Sequence, residues 1–242
     1  MTTPSPSPTH SRNGRDGRPL RTLIAWSSGK DSAWALHQLQ QSQAVEVAGL
    51  LSTISAAYDR VSMHGVRRSL VEAQAAALGL PLTLVALPTP CSNEDYGALM
   101  GSAMARARAA GIGAVAFGDL FLEDVRRYRE RQIERTGLTP LFPLWGSSTA
   151  QLAEQMLASG VRAVVTCADP RVVPASTAGR AFDRALLADL PLGVDPCGEN
   201  GEFHTFAWDG PAFRRPVPVH VGETVTRDGF VFADLQASEP HG

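Results

Sequence analysis

The chain has 242 residues, and its 22 Lys and Arg side chains are nearly balanced by 24 Asp and Glu, which leaves a formal net charge of −2. This balance excludes the broad basic surface that binding to nucleic acid requires, so we expect no DNA partner. Hydrophobic residues make up 44% of the chain, enough for a sizeable core. No apolar run reaches the length of a membrane span, so we expect no membrane partner.

The cysteines Cys91, Cys167 and Cys197 lie far apart in the sequence. Their spacing matches neither a Cys-x-x-Cys redox motif nor a zinc site. An odd number of cysteines is typical of a reducing compartment, so the sequence predicts a cytoplasmic protein.

Residues 1–20 are rich in Ser, Pro, Thr, Arg and Gly, and this composition predicts a disordered tail. After the tail, short apolar runs alternate with segments of helical spacing. Strands are predicted at 23–27, 45–52, 82–87, 114–118 and 162–167. Helices are predicted between them at 31–41, 66–78, 93–109, 123–135 and 148–158. Residues 140–145 are predicted to form an edge strand or an extended segment.

The rhythm of the chain changes from about residue 170. A helix is predicted at 182–190. Two alternating runs at 217–221 and 230–235 flank Arg227-Asp228-Gly229, and this pattern predicts a β-hairpin.

Strands separated by helices of ten or more residues favour right-handed crossovers and a parallel sheet. We therefore expect an α/β fold, with a nucleotide-binding domain at 21–140 and a smaller C-terminal α+β unit at 141–237 that binds substrate. Ligands of parallel sheets bind at the carboxyl ends of strands. Three such ends carry small or polar residues, at 27–32, 51–54 and 118–119, as a single nucleotide cleft requires.

The segment Ser-Ser-Gly-Lys-Asp-Ser at 27–32 follows directly on the first apolar run. A buried strand, a tight polar loop and a helix N-terminus form an anion site, because unpaired backbone N–H groups and the helix dipole point into the loop. Gly29 permits close approach of the backbone, and Lys30 adds a point charge. The segment is not a Walker A loop, since Asp31 follows the lysine. The alternative is a plain turn in which Ser28 or Ser32 caps the helix.

A second polar segment, Asp-Pro-Cys-Gly-Glu-Asn-Gly-Glu-Phe-His-Thr-Phe, occupies 195–206. Glycines, carboxylates, an amide, a thiol and an imidazole within twelve residues indicate a substrate loop. Glu199 and Glu202 are suited to hold Mg²⁺ or an attacking amine, and His204 is suited to contact a phosphate or to assist proton transfer. The alternative is a polar loop with glycine turns.

Several motifs together resemble a known family. Ser-Ser-Gly-Lys-Asp-Ser is similar to the Ser-Gly-Gly-x-Asp-Ser signature of PP-loop ATP pyrophosphatases, with Ser28 where glycine is usual, and a serine fits there if its backbone angles are ordinary. The other motifs are, in order, Met63-His64-Gly65, Gly118-Asp119, Pro143-Leu144-Trp145-Gly146 and Gly-Glu-Asn-Gly-Glu-Phe-His-Thr at 198–205. Over residues 21–235 they resemble the diphthine–ammonia ligase family, also described as adenine nucleotide α-hydrolase-like.

The resemblance implies a Rossmann-like sheet with helices on both faces, of the type shared with universal stress proteins. It also implies ATP-driven amide formation with Mg²⁺, in which a carboxylate is adenylated, pyrophosphate leaves and ammonia displaces AMP. The family's namesake substrate is diphthine, a modified histidine of an elongation factor. The expected partners are a small-molecule or protein carboxylate acceptor and ammonia or another amine. A homodimer and a monomer both stay open.

The candidate site residues fall into three groups. The catalytic candidates are Lys30, Asp31, Glu199 and Glu202. The ATP-binding candidates are Ser27, Ser28, Gly29, Lys30, Asp31, Ser32, Leu51, Ser52, Thr53, Gly118 and Asp119. The candidates for the acceptor pocket are Met63, His64, Asn200 and His204, and Mg²⁺ is expected near Asp31 and Glu199.

Two of these interpretations have alternatives in local structure. Asp119 is equally suited to cap a helix. The arginines of the predicted helix at 123–135 are interspersed with acidic residues, and this pattern indicates a solvated helix face. These arginines are Arg126, Arg127, Arg129 and Arg131.

Two other functions remain open. A PP-loop sulfur transferase acting on tRNA could use Cys197 with Cys91 or Cys167, although the spacing of the thiols and the net charge weigh against it. A universal-stress-like domain could bind ATP as a sensor, but such a module has no evident use for residues 199–204. A glutamine-using amidotransferase is disfavoured, since no N-terminal catalytic cysteine is present.

Overall fold

The computed structural model describes residues 17–61 and 64–238, which form ten strands and six α-helices. The strands are β1 Leu20–Ala25, β2 Val45–Ser55, β3 Arg60–Val61, β4 Leu82–Leu87, β5 Ala114–Ala116, β6 Thr139–Leu141, β7 Arg162–Ala168, β8 Phe203–Asp209, β9 Val219–Arg227 and β10 Phe230–Ala237. The helices are α1 Lys30–Gln40, α2 Arg68–Leu78, α3 Asn93–Ala109, α4 Glu123–Glu134, α5 Thr149–Ala158 and α6 Arg184–Asp189.

The first sheet is built on parallel strands. β2 pairs with β1 and β4, β1 pairs with β5, and β5 pairs with β6, all in parallel. The short strand β3 pairs antiparallel with the last residues of β2. This arrangement follows from the helical crossovers between the strands, and it confirms the predicted α/β fold with a Rossmann-like sheet.

Both faces of the first sheet are covered by helices. Along β1, Leu23 packs with α3 and α4 on one face, while its neighbour Ile24 packs with α1 and α2 on the other. Val115 and Ala116 of β5 divide between the two faces in the same way. A strand that is apolar on both faces reads as a continuous hydrophobic run, as Leu23-Ile24-Ala25 at the end of β1 do.

The second sheet is antiparallel, with the order β8-β7-β10-β9. It shares a hydrophobic core with α1 and α2, to which Phe203 and Phe206 of β8 contribute fully buried rings. The predicted hairpin is confirmed as β9 and β10. Its turn residues Asp228 and Gly229 both have positive φ angles, of 49° and 82°, as a tight hairpin turn requires.

Several predicted boundaries need correction. Leu20, which was predicted to lie in the tail, pairs with Val45 as the first residue of β1. The strand at 162–167 is β7, which belongs to the antiparallel sheet. Strand β8 was missed, because the glycines and polar residues before it indicated a loop throughout. The rest of the predicted tail up to residue 16, and Met63, lie outside the described residues.

No helix in the described part of the chain is both long enough and apolar enough to cross a membrane.

Gln74 of α2 is a buried amide that links the segment after β1 to strand β8 of the second sheet. Its Oε1 accepts a hydrogen bond from Trp26 Nε1 at 2.8 Å, and its Nε2 donates to the carbonyls of Ser28 at 3.0 Å and Ala207 at 2.6 Å. Gln74 is fully buried, so these polar groups have no access to water if the amide is lost.

We expect Gln74→Leu to lower the free energy of unfolding by about 2–4 kcal/mol. Each buried polar group that loses its hydrogen bond to Gln74 costs ~1–3 kcal/mol. Urea unfolding followed by circular dichroism measures the change. Gln38→Leu, at an exposed position of α1, is the matched control and should leave the midpoint nearly unchanged. Equal midpoints for the two variants would contradict the joining role of Gln74.

Candidate functional site

The loop between β1 and α1 has the shape of an anion site. Helix α1 begins at Lys30 with Gly29 as its N-cap, and no side chain caps it. The predicted alternative, a helix capped by Ser28 or Ser32, is therefore wrong. Ser32 Oγ instead donates to the Gly29 carbonyl at 2.9 Å and accepts from Ser27 Oγ at 3.2 Å.

Ser28 has a left-handed backbone, with φ of 72°. The ordinary backbone angles that a serine needs at this position are therefore absent. The left-handed angle explains why glycine is usual at this position, because a side chain there costs ~1–2 kcal/mol. The Ser28 side chain is fully buried, and its hydroxyl has no partner among the described residues.

Strand β8 holds the loop in place. The Ala207 N–H donates to the Ser28 carbonyl at 2.9 Å, and the Lys30 N–H donates to Thr205 Oγ1 at 3.1 Å. A Cβ on Gly29 would approach the Thr205 carbonyl to 3.2 Å and the His64 ring to 3.3 Å. The second polar motif therefore packs directly on the first, although 175 residues separate Lys30 and Thr205.

Lys30 is almost completely buried beneath the loop. Its Nζ contacts Asp31 Oδ2 at 2.9 Å and donates to the Cys197 carbonyl, and it lies 5.2 Å from the centre of the Phe182 ring. Burial lowers the pKa of Lys30, but the neighbouring groups, Asp31 first among them, together raise the pKa above its ordinary value. The ammonium is therefore a permanent charge that ties α1 to the loop at 195–202.

A cleft opens at the carboxyl ends of β1, β2 and β5, and it has two parts. The large chamber, about 1220 Å³, lies between the sheet and helices α3 and α4 and is lined by Leu51, Thr53 and Tyr96 among others. The small chamber, about 200 Å³, lies over the N-terminus of α1 and is lined by Asp31 and Ser32 among others. The residues that line both chambers are Ala25, Ser27, His64, Phe117, Arg129 and His204.

Glu199 is a perturbed carboxyl group in the small chamber. Its Oε1 accepts a hydrogen bond from the Leu120 N–H at 2.7 Å. Burial raises the pKa of Glu199 to about 7, and the charges of Asp31 and Asp119 add to the effect. A carboxyl that titrates near neutral pH can accept and return a proton during a reaction.

Two histidine rings face each other at the junction of the chambers. The ring centres of His64 and His204 lie 4.6 Å apart, and His64 Nδ1 is 3.3 Å from the Thr205 carbonyl. Burial lowers the pKa of His64 to about 3 and the pKa of His204 to about 4, with Lys30 contributing to both. Both rings are therefore neutral at pH 7.

Arg129 was missed as a site residue. It lines both chambers, and its Nε donates to Asp119 Oδ2 at 2.6 Å. The predicted solvated face of α4 is wrong for Arg126 and Arg129, which are half-buried, although Arg127 and Arg131 are exposed. The predicted alternative for Asp119, a helix cap, is also wrong, because α4 is capped at Leu122.

Glu202 and Asn200 do not line either chamber. Glu202 is buried, and its Oε1 accepts from the Asp195 N–H at 3.0 Å and from Asn200 Nδ2 at 2.9 Å. The Asp195 carboxylate in turn accepts from the Glu199 N–H at 2.8 Å. In this structure Glu202 shapes the turn that presents Glu199, and it contributes no atom to the cleft.

The structure places most of the predicted nucleotide residues at the cleft, apart from the buried hydroxyls of Ser28 and Ser52 and the covered backbone of Gly29. Those that line it are Ser27, Lys30, Asp31, Ser32, Leu51, Thr53, Gly118 and Asp119. Among the described residues no group of three or more His, Cys, Asp and Glu side chains could hold a metal ion. Asp31 Oδ1 is buried without a hydrogen-bond partner in the described part of the chain.

We expect Ser28→Gly to raise the free energy of unfolding by up to about 1 kcal/mol, because glycine removes the left-handed strain at a small cost in entropy. Denaturant titration of the apoprotein measures the change. Ser27→Gly, which removes the hydroxyl bonded to Ser32, is the neighbouring control and should destabilise the protein. Destabilisation by Ser28→Gly would contradict this account of the loop.

Comparison with known proteins places the chain in a family. Models of the diphthamide synthase N-terminal and C-terminal domains match residues 20–140 and 148–235. The diphthine–ammonia ligase of Bos taurus is 27% identical over 241 residues, which cover 89% of each chain. The diphthine–ammonia ligase of Danio rerio is 28% identical over 247 residues, which cover 89% of this chain and 92% of the relative.

A solved structure, described as a predicted subunit of a tRNA methyltransferase from Methanocaldococcus jannaschii, covers 61% of this chain and 80% of its own, with 14% identity and a TM-score of 0.40. The two family models adjoin one another along the sequence and together cover nearly all of the described residues. The chain belongs to the diphthamide synthase family.

Proposed function

We propose that this chain is an ATP-dependent amide-forming ligase of the diphthine–ammonia ligase type. It adenylates a carboxylate with release of pyrophosphate and then transfers ammonia or another amine to the activated acyl group. One observation carries the proposal. The loop at 27–32 and the polar motif at 195–206 are far apart in the sequence, yet they meet across one cleft, where Lys30 bonds to Thr205 and Cys197.

The two chambers suit the two ends of ATP. The large chamber has an apolar floor that includes Leu51 and Phe117, as a nucleoside pocket requires. In the small chamber the N-terminus of α1 supplies donors for the β and γ phosphates. The hydroxyls of Ser27 and Ser32, which here donate to Ser32 Oγ and to the Gly29 carbonyl, can turn to donate to the same phosphates. The buried charge of Lys30 lies beneath them and adds a fixed positive potential.

The small chamber also suits a Mg²⁺ ion that binds together with the nucleotide. Magnesium bound to a nucleotide needs only one or two protein carboxylates, because the phosphates supply other ligands. Asp31 and Glu199 both line this chamber. Asp31 Oδ1 is buried and has no hydrogen-bond partner in the described residues. When bound, the ion would neutralise phosphate charge, and Asp31 would hold it.

In the first step, an oxygen of the acceptor carboxylate bonds to the α-phosphorus, and the bond from that phosphorus to the pyrophosphate oxygen breaks. In the second step, the amine nitrogen bonds to the acyl carbon, the bond to the AMP oxygen breaks, and the nitrogen loses a proton. Glu199 is suited to take that proton, because its pKa of about 7 leaves about half of the carboxyl groups ionised at neutral pH.

The arrangement of the two chambers also supports different roles for the two parts of the chain. Residues 21–140 supply the nucleotide chambers, and residues 141–237 supply Glu199 and His204 on the acceptor side. A diphthine-like carboxylate and ammonia are the substrates that we propose. The three free cysteines favour a reducing, cytoplasmic setting.

Sulfur transfer is disfavoured by the state of the thiols. Burial raises the pKa of both Cys167 and Cys197 to about 12, so neither is a thiolate at neutral pH. Cys91 is exposed but lines neither chamber. A passive ATP sensor is also disfavoured, because it has no use for a carboxyl that titrates near pH 7 opposite the phosphate loop.

The central prediction concerns the products of ATP. Incubation with ATP, Mg²⁺, ammonium and a cell extract as the source of acceptor should give AMP and pyrophosphate, resolved by chromatography. Ser32→Ala should reduce AMP formation about 10- to 100-fold, because it removes a phosphate donor at the helix N-terminus. Ser159→Ala, at an exposed position at the end of α5, should not change it.

Release of ADP and phosphate by the wild type would contradict the proposed reaction. Tight binding of ATP without cleavage, with or without extract, would favour the sensor instead.

The second prediction is a pH dependence that belongs to Glu199. With free ammonia held constant at each pH, the rate of amide formation should rise as Glu199 ionises, with a midpoint near pH 7. Glu199→Gln should lose this rise and about 10²-fold in rate. A wild-type profile that is flat between pH 5.5 and 8.5 would exclude Glu199 as the base. Glu123→Gln, at an exposed position on α4, is the control.

The raised pKa of Glu199 also makes the stability of the protein depend on pH. The pKa of Glu199 in the folded state, about 7, lies above its ordinary value of 4.5. The folded state therefore binds more protons between these values, and stability falls as pH rises through that window. Glu199→Gln should lose this part of the pH dependence, which thermal unfolding between pH 4 and 8 can show.

A further inference from the structure

We infer that Arg129 binds the α-phosphate of the nucleotide, the phosphate at which the acceptor carboxylate reacts. The inference rests on the proposed function, because it assumes that ATP spans the two chambers. It goes beyond that function by assigning a residue that the motifs do not contain and by stating which group of the ligand it holds.

The position of Arg129 supports this assignment. With the nucleoside in the large chamber and the β and γ phosphates in the small one, covalent connectivity places the α-phosphate at the junction. Only six of the described residues line both chambers, and Arg129 is the one among them with a permanent positive charge. His64 and His204 share the junction but are neutral, since burial and neighbouring positive groups lower both pKa values.

The guanidinium has donors to offer. Its Nε is bonded to Asp119 Oδ2 at 2.6 Å, while its two terminal nitrogens make no hydrogen bond to any other part of the described chain. The Arg129 side chain is 31% exposed, at the wall of the cleft. When a carboxylate accepts a hydrogen bond from the Nε of an arginine, the two terminal nitrogens remain available for a bidentate contact with an oxyanion.

A stacked ladder fixes Arg129 in this orientation. Its guanidinium lies 4.7 Å from the centre of the Phe117 ring, which is 5.6 Å from Phe142, and Phe142 is in turn 4.8 Å from the guanidinium of Arg126. Arg126 also lies 4.7 Å from the Trp145 ring, so it is held between two aromatic side chains. Cation–π contacts favour such stacks, and this one gives a role to Trp145 of the motif at 143–146.

Ligands with different numbers of phosphates test the inference by isothermal titration calorimetry of the full chain. Arg129→Gln should weaken binding of AMP about 10- to 100-fold, because AMP carries only the α-phosphate, and should leave binding of adenosine within about twofold. Arg129→Lys should recover part of the loss, since it keeps the charge without the fork. Arg127→Gln, at an exposed position on the same helix, should match the wild type.

Unchanged AMP affinity in Arg129→Gln, with normal binding by the wild type, would overturn the inference and leave the proposed function intact; Arg129 would then be a candidate for the acceptor carboxylate. An equal loss of adenosine and AMP binding would also overturn it, because the residue would then shape the chamber only. Failure of the wild type to bind either AMP or ATP would overturn the proposed function together with this inference. If Arg129→Gln does not fold, Asp119→Asn provides the test, because loss of the Nε partner should weaken AMP and spare adenosine.

Discussion

The site depends on a polar seam between the loop at 27–32 and strand β8. The seam consists of three hydrogen bonds. The Ala207 N–H donates to the Ser28 carbonyl, the Lys30 N–H donates to Thr205 Oγ1, and the Lys30 ammonium donates to the Cys197 carbonyl. Burying an ammonium is costly unless it is paired and hydrogen-bonded, and here Asp31 and the carbonyl satisfy it together. Because these bonds hold the loop at 27–32 and strand β8 against each other, neither sheet can position its part of the site without the other.

The same seam separates the charges that the proposed reaction needs. Lys30 is positive and buried, the two histidines are neutral, and Glu199 titrates near pH 7. These states arise from burial and from neighbouring charges, with no bound ion required to explain them. The cleft therefore offers fixed positive charge on one side and an adjustable carboxyl on the other. In the proposed reaction, the positive charge would bind phosphate and the carboxyl would transfer a proton.

Much of the fold was predictable from local pattern. The strand at 82–87 and the helix at 93–109 coincide with β4 and α3, and the hairpin turn at Asp228-Gly229 was evident from its residues. Helix α2 ends at Gly79, whose φ of 68° is the left-handed cap that glycine favours. These features depend on periodicity and turn chemistry within a few residues. Strand β8 was missed because it is defined by its partners β7 and α1, which its own sequence does not contain.

The sequence by itself determined that residues 27–32 form a loop between a strand and a helix, that the first sheet is parallel, and which chemical groups the segment at 195–206 carries, because strand–loop–helix order and residue type are local properties. Only the tertiary structure decided which members of these motifs reach the cleft. It turned Glu202 inward to hold the turn, placed Glu199 in the small chamber, and brought Arg129 from an apparently solvated helix to the junction. The physical reason is that exposure, pKa and hydrogen-bond partner are set by neighbours distant in sequence, and a linear pattern carries no record of them.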